Sequence, residues 1–64
     1  MRIDRIKLIT AMAKADMKGY ELAERAGLSR YTVVGIRSGK TCTRETAERI
    51  AGALALSLEE LTEG

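Results

Sequence analysis

The 64-residue sequence predicts an all-α fold: one compact domain, residues 1–64, built from five short helices. Three observations predict it. Apolar residues recur three and four positions apart through most of the chain, the spacing of a helix face. Val and Thr are too few and too scattered to build several strands, and proline is absent. Two Tyr are the whole aromatic content, so the core must be built from Ile, Leu, Val, Met and Ala. A chain this short buries only about 60% of the surface that it exposes unfolded, so it must pack well or associate.

The first helix is expected from about Arg2 to Ala15, with Ile6, Ile9, Met12 and Ala13 on one stripe and Leu8, Met12 and Ala15 on another. Asp16-Met17-Lys18-Gly19 interrupts it. Tyr20 to Ala26 is the second helix, with Leu22, Ala23 and Ala26 on one face, and Gly27 stands where a left-handed residue ends a helix. Ser29 is a favourable N-cap for the third helix, Arg30 to Ser38, which Gly39 stops. Val33 and Ile36 share its inward face; Arg30, Val34 and Ser38 fall on an outward face, with Tyr31 and Gly35 beside them. Thr43 caps the fourth helix, Arg44 to about Leu54, whose stripe is Ala47, Ile50, Ala51 and Leu54. Ser57 and Glu60 match a capping box that would open a fifth helix through Leu61.

Charge divides the chain. Residues 1–40 hold nine Lys or Arg against four Asp or Glu, and residues 41–64 hold two against five. The basic part coincides with the second and third helices, as phosphate contact would require, although an ordinary solvated surface has the same look. Two short helices joined at a Gly turn, the second starting with Arg and followed by Lys, point to a DNA major groove. No catalysis is expected: there is no His, no paired Cys, no Gly-rich phosphate loop and no apparent acid–base constellation. Cys42 is alone, so neither an internal disulfide nor a metal site is expected, and no cofactor or small-molecule ligand is implied. No signal peptide or membrane span is legible, and a lone thiol suits a reducing cytoplasm.

The ordered series Glu21-Leu22-Ala23-Glu24-Arg25-Ala26-Gly27-Leu28-Ser29, Ile36, Gly39-Lys40, Ile50-Ala51, Leu54 and Leu58-Glu59-Glu60-Leu61 resembles the phage-repressor (Cro/repressor, XRE-type) helix-turn-helix family over nearly the whole chain. The resemblance implies a lambda-repressor-like domain that binds double-stranded operator DNA as a homodimer on a two-fold symmetric site, with the third helix in the major groove. It places base reading on Arg30, Tyr31 and Gly35, with Val34 nearby. It places phosphate contacts on Gly19 at the start of the second helix and on Ser29, Ser38, Lys40, Thr41, Thr43 and Arg44. It puts a dimer contact near Leu56, Leu58 and Leu61.

The chain departs from that pattern at three points. Gly19 stands where the family often has Gln, leaving only a backbone amide. Met12 and Arg37 replace a frequent Arg–Glu pair, which implies a repacked junction and leaves Arg37 free for solvent or a phosphate. Gly35 removes a base-reading side chain at a cost of roughly 0.5–1 kcal/mol relative to Ala.

Each site residue also has a plainer reading. Arg30 suits a bidentate pair with guanine O6 and N7, or a phosphate clamp, or open solvent. Tyr31 can meet a thymine methyl or a phosphate, or pack partly in the core. Val34 suits a thymine methyl unless the helix phase is misjudged. Thr43 can be a cap alone, and the three leucines can simply close the core. Cys42 is expected to be inert. The function expected is a sequence-specific transcriptional repressor; the alternative is a protein-interaction module on the same scaffold, as in antitoxins and regulator-binding proteins.

Overall fold

A computed structural model describes residues 1–63. The first helix, α1 (Arg5–Lys14), begins after Asp4, whose carboxylate accepts from the amides of Ile6 (2.9 Å) and Lys7 (3.1 Å). That cap satisfies the first-turn donors and moves the helix start three residues beyond the expected Arg2. The preceding residues are paired elsewhere. Ile3 forms an antiparallel bridge with Thr62, the Asp4 amide donates to the Leu61 carbonyl (3.0 Å), and the Glu63 amide donates to the Arg2 carbonyl (3.2 Å). The two ends of the chain are thus tied together beside the core.

Three further helices follow: α2 (Gly19–Ala26), α3 (Arg30–Arg37) and α4 (Arg44–Ala53). Ser29 and Thr43 cap α3 and α4 as expected, accepting from the amides of Thr32 (3.1 Å) and Thr46 (3.2 Å). The α2 helix packs against both α3 and α4, and α1 packs against α3. Leu22, Val33, Ile36, Ala47 and Ile50 meet in the centre with Leu8, Met12, Ile3 and Leu61. Of the two expected stripes on α1, the one through Leu8 and Met12 faces this core, whereas Ile6 stays 69% exposed. No charged or polar side chain is buried among the described residues, so the interior is held by apolar burial without ion pairs to desolvate.

All four helices end in the same paired hydrogen-bond motif around one left-handed residue. In α2 the Leu28 amide reaches the Ala23 carbonyl (2.8 Å) and the Gly27 amide the Glu24 carbonyl (3.3 Å). Gly27 and Gly39 take the left-handed position after α2 and α3, at φ +70° and +102°. Asp16 and Ala55 take it after α1 and α4, at φ +51° and +57°. Ala55 has no side-chain hydrogen bond to offset that conformation.

The expected fifth helix is one turn. Its capping box is present: the Glu60 amide donates to Ser57 Oγ (3.3 Å) and the Ser57 amide to Glu60 Oε1 (3.2 Å). The Thr62 amide still reaches the Leu58 carbonyl (2.9 Å), but the Leu61 carbonyl accepts from Asp4, which ends helical bonding in favour of the bridge to Ile3. Among the described residues the architecture is therefore four helices and a closing turn. No helix among the described residues is long and apolar enough to cross a membrane.

Candidate nucleic-acid interface

The inward face of α3 is sealed, with Val33 and Ile36 almost fully buried. This fixes the phase of the helix and settles which side chains point away. Tyr31 is 86% and Val34 61% exposed, and Arg30 is exposed at the first position of the helix. Tyr31 therefore takes no part in the core, and the outward placing of Val34 is not a phase error. These residues form one surface with Gly35, Ser38 and Lys40, which together border a shallow hollow. A second hollow on the other side of Tyr31 is bordered by Thr41, Cys42 and Thr43, with Gly35 and Lys40 shared between the two.

Gly35 has a use within the protein. A Cβ built there would lie 3.3 Å from Cδ of Lys40, and the Lys40 amide donates to the Gly35 carbonyl at 3.0 Å. The missing side chain lets the aliphatic stem of Lys40 cross the outward face of α3. Ser38 Oγ donates to the Val34 carbonyl at 3.0 Å, which leaves its lone pairs open. The Ser29 and Thr43 hydroxyls are occupied as caps but lie exposed at the two ends of this surface. Thr41 is exposed as well.

Arg30, Arg37 and Lys40 make no ion pair with any carboxylate among the described residues; the pairs present are Arg44–Glu48 (3.0 Å) and Arg49–Glu45 (3.5 Å). Both pairs are surface i,i+4 contacts, worth about 0.3–0.5 kcal/mol, so Arg44 is only loosely committed. Arg30 stands at the positive end of α3, whose first turn contains no acid. A cation there is disfavoured by the helix dipole by about 0.3–1 kcal/mol, a cost that an anionic or acceptor-rich ligand would relieve.

Gly19 and Arg37 prove to be one arrangement. A Cβ at Gly19 would lie 3.1 Å from Nη1 of Arg37. The guanidinium reaches across to the start of α2 and borders a hollow with Ile9, Met12 and Met17. The open space at Gly19 lets the guanidinium lie there, and the buried Met12 borders the same hollow. The start of α2 thus offers a cation beside its amides in place of a side-chain amide.

One residue of this surface escaped the sequence reading. Tyr20, 48% exposed in the first turn of α2, has the Arg30 guanidinium carbon 5.6 Å from its ring centroid. The signal in the sequence is an aromatic residue opening the helix that precedes Arg30.

On the opposite side, Leu61 is completely buried and can offer nothing to a second copy; its place is in the core. Leu56 and Leu58 are half-buried against that core. Leu56 borders a hollow with Ile6, Ala11, Ala15 and Leu54, into which Lys7, Lys14 and Glu60 also project. The Cys42 thiol is pushed up from its ordinary value by burial, with the N-terminal ammonium pulling weakly the other way. It is therefore a neutral, unactivated thiol.

No curated protein matches the chain in sequence. Among solved structures, a point mutant of hydroxyethylphosphonate dioxygenase is similar at 25% identity and a TM-score of 0.87, and native PhpD with cadmium atoms at 25% identity and 0.85. Each match covers 100% of this chain and 14% of the other, so the chain spans a small part of those proteins. The model of the Cro/C1-type HTH DNA-binding domain matches residues 7–63, from within α1 through the closing turn. With that match and the outward face of α3 described above, the chain belongs to the Cro/C1-type helix-turn-helix DNA-binding family.

Proposed function

We propose that this chain is a sequence-specific transcriptional repressor of the cytoplasm that inserts α3 into the major groove of an operator. The observation that carries the proposal is the outward face of α3: an unpaired, exposed Arg30 at its start, followed by exposed Tyr31 and Val34. A surface-exposed Val and Tyr beside an arginine have little to gain from water. They gain from the C5-methyl groups of thymines flanking a guanine whose O6 and N7 accept from Arg30. Gly35 lets the Lys40 stem cross this face, which carries its ammonium toward the groove. Ser29, Ser38, Lys40, Thr41, Thr43 and Arg44 follow the flanking phosphates, and the Gly19 amide with Arg37 meets the backbone at the start of α2. Two copies bind a two-fold symmetric site, with Leu56 and Leu58 at their contact.

A second reading has its own support. The same fold occurs as 14% of a dioxygenase chain, and the exposed Tyr31–Val34 surface would also suit a protein partner. Binding to DNA across a series of salt concentrations separates the two. A DNA reader loses affinity steeply with salt through counterion release, and holds a selected duplex more tightly than a scrambled one. No binding at low salt to either selected or mixed duplexes would leave the protein-interaction reading.

A further inference from the structure

No ion pair or side-chain hydrogen bond holds Arg30 among the described residues. It has no carboxylate partner among the described residues, no acid lies in the first turn of α3, and its backbone stands at the positive helix end. A long side chain so placed would sample many rotamers, and each would have to be given up on binding. The ring of Tyr20 lies 5.6 Å from the guanidinium carbon, within the range of a cation–π contact. The contact joins the first turns of α2 and α3, which the Gly27 turn brings side by side. A ring differs from a carboxylate in a way that matters here. It attracts the guanidinium without taking up its N–H donors as a paired acceptor would, so the donor fork stays available for a base edge.

We infer that Tyr20 is a positioning residue: its ring holds the Arg30 guanidinium over the start of α3, ready for bidentate pairing with guanine, and so sets discrimination at that base pair. The inference rests on the DNA-reading role of α3 proposed above. Tyr20 acts through Arg30, and its hydroxyl is not needed. The ring in Tyr20→Phe therefore does the same work, whereas Tyr20→Ala releases the arginine.

Two measurements test it. In the free protein, NMR should find the Arg30 side-chain protons shifted upfield by the Tyr20 ring, with the shift kept in Tyr20→Phe and lost in Tyr20→Ala. On a duplex selected from a random pool, Tyr20→Ala should lower discrimination at the Arg30-read base pair by about two- to fivefold. Tyr20→Phe should keep it, and affinity for a scrambled duplex and its salt slope should stay as they are. In an Arg30→Ala background, Tyr20→Ala should have no further effect. Absence of the ring-current shift overturns the inference, as does loss in Tyr20→Phe equal to that in Tyr20→Ala, or a Tyr20→Ala effect that persists without Arg30. If the shift is present but Arg30→Ala itself leaves discrimination untouched, the base-reading role fails and takes the positioning role with it. That failure is recognised from Arg30 alone. A thermal melt of each variant separates these outcomes from unfolding.

Discussion

The two faces of α3 obey opposite rules. Inward, Val33 and Ile36 are 2% and 3% exposed, and their identity is dictated by the space that Leu22 and Ile50 leave. Outward, Tyr31 and Val34 are 86% and 61% exposed, touching little that would dictate them. The same helix spends one face on stability and leaves the other to whatever it meets. One exposed apolar side chain says little, since Ile6 on α1 is as exposed as Val34; the informative feature is that Tyr31 and Val34 lie together beside Arg30 on one face.

The largest difference should appear in stability. Leu22→Ala should cost about 2–5 kcal/mol in chemical denaturation, because it empties a fully buried site. Val34→Ala should change stability by less than about 0.5 kcal/mol, as an exposed substitution does, yet weaken binding to a selected duplex. If Val34→Ala destabilised the protein as much as a core truncation, the outward face would have to be read as a buried one.

A smaller effect sharpens the contrast between helix ends. The α2 and α3 helices stop at Gly27 and Gly39, whereas α4 stops at Ala55 with φ +57°. A left-handed alanine costs roughly 1–2 kcal/mol, offset in part by the freedom that glycine brings to the unfolded chain. Ala55→Gly should therefore stabilise the domain by about 0.5–1 kcal/mol without altering DNA binding. A destabilised variant would mean that the Ala55 methyl makes contacts that outweigh its backbone strain.

The smallest expected effect is electrostatic. Lys40, whose stem crosses Gly35, should contribute one phosphate contact; Lys40→Ala should lower affinity for all sequences alike and reduce the salt slope by about one. An unchanged slope would remove Lys40 from the interface.

What could be read from the chain before its structure follows the range of the interactions. The Ser29 and Thr43 caps, the Gly27 and Gly39 stops and the inward pair of α3 are local, set by residues within one turn, and all were legible. Asp16 falls in the segment expected to interrupt the first helix and is a residue type that tolerates a left-handed conformation, whereas nothing about Ala55 advertises one. The bridge between Ile3 and Thr62 joins residues at opposite ends of the chain, and local periodicity holds no record of it. It cut α1 short at one end and limited the turn at Ser57 at the other, even though that capping box was correctly placed. In the candidate site, α3 announced its outward residues through helical spacing. The pairing of Gly19 with Arg37 and of Tyr20 with Arg30 depends on how α2 lies beside α3, a matter of packing between helices.

On the proposed function, the outward face of α3 reads base edges, led by Arg30. Selection of bound duplexes from a random pool, by the wild-type protein and by Arg30→Ala in parallel, tests it most directly. The wild type should select a two-fold symmetric consensus with a G·C pair at one position in each half-site. Arg30→Ala should lose preference at that position alone, by about 1–3 kcal/mol of discrimination. A pool that shows no enrichment, or an Arg30→Ala consensus unchanged at every position with affinity lowered uniformly, would contradict it.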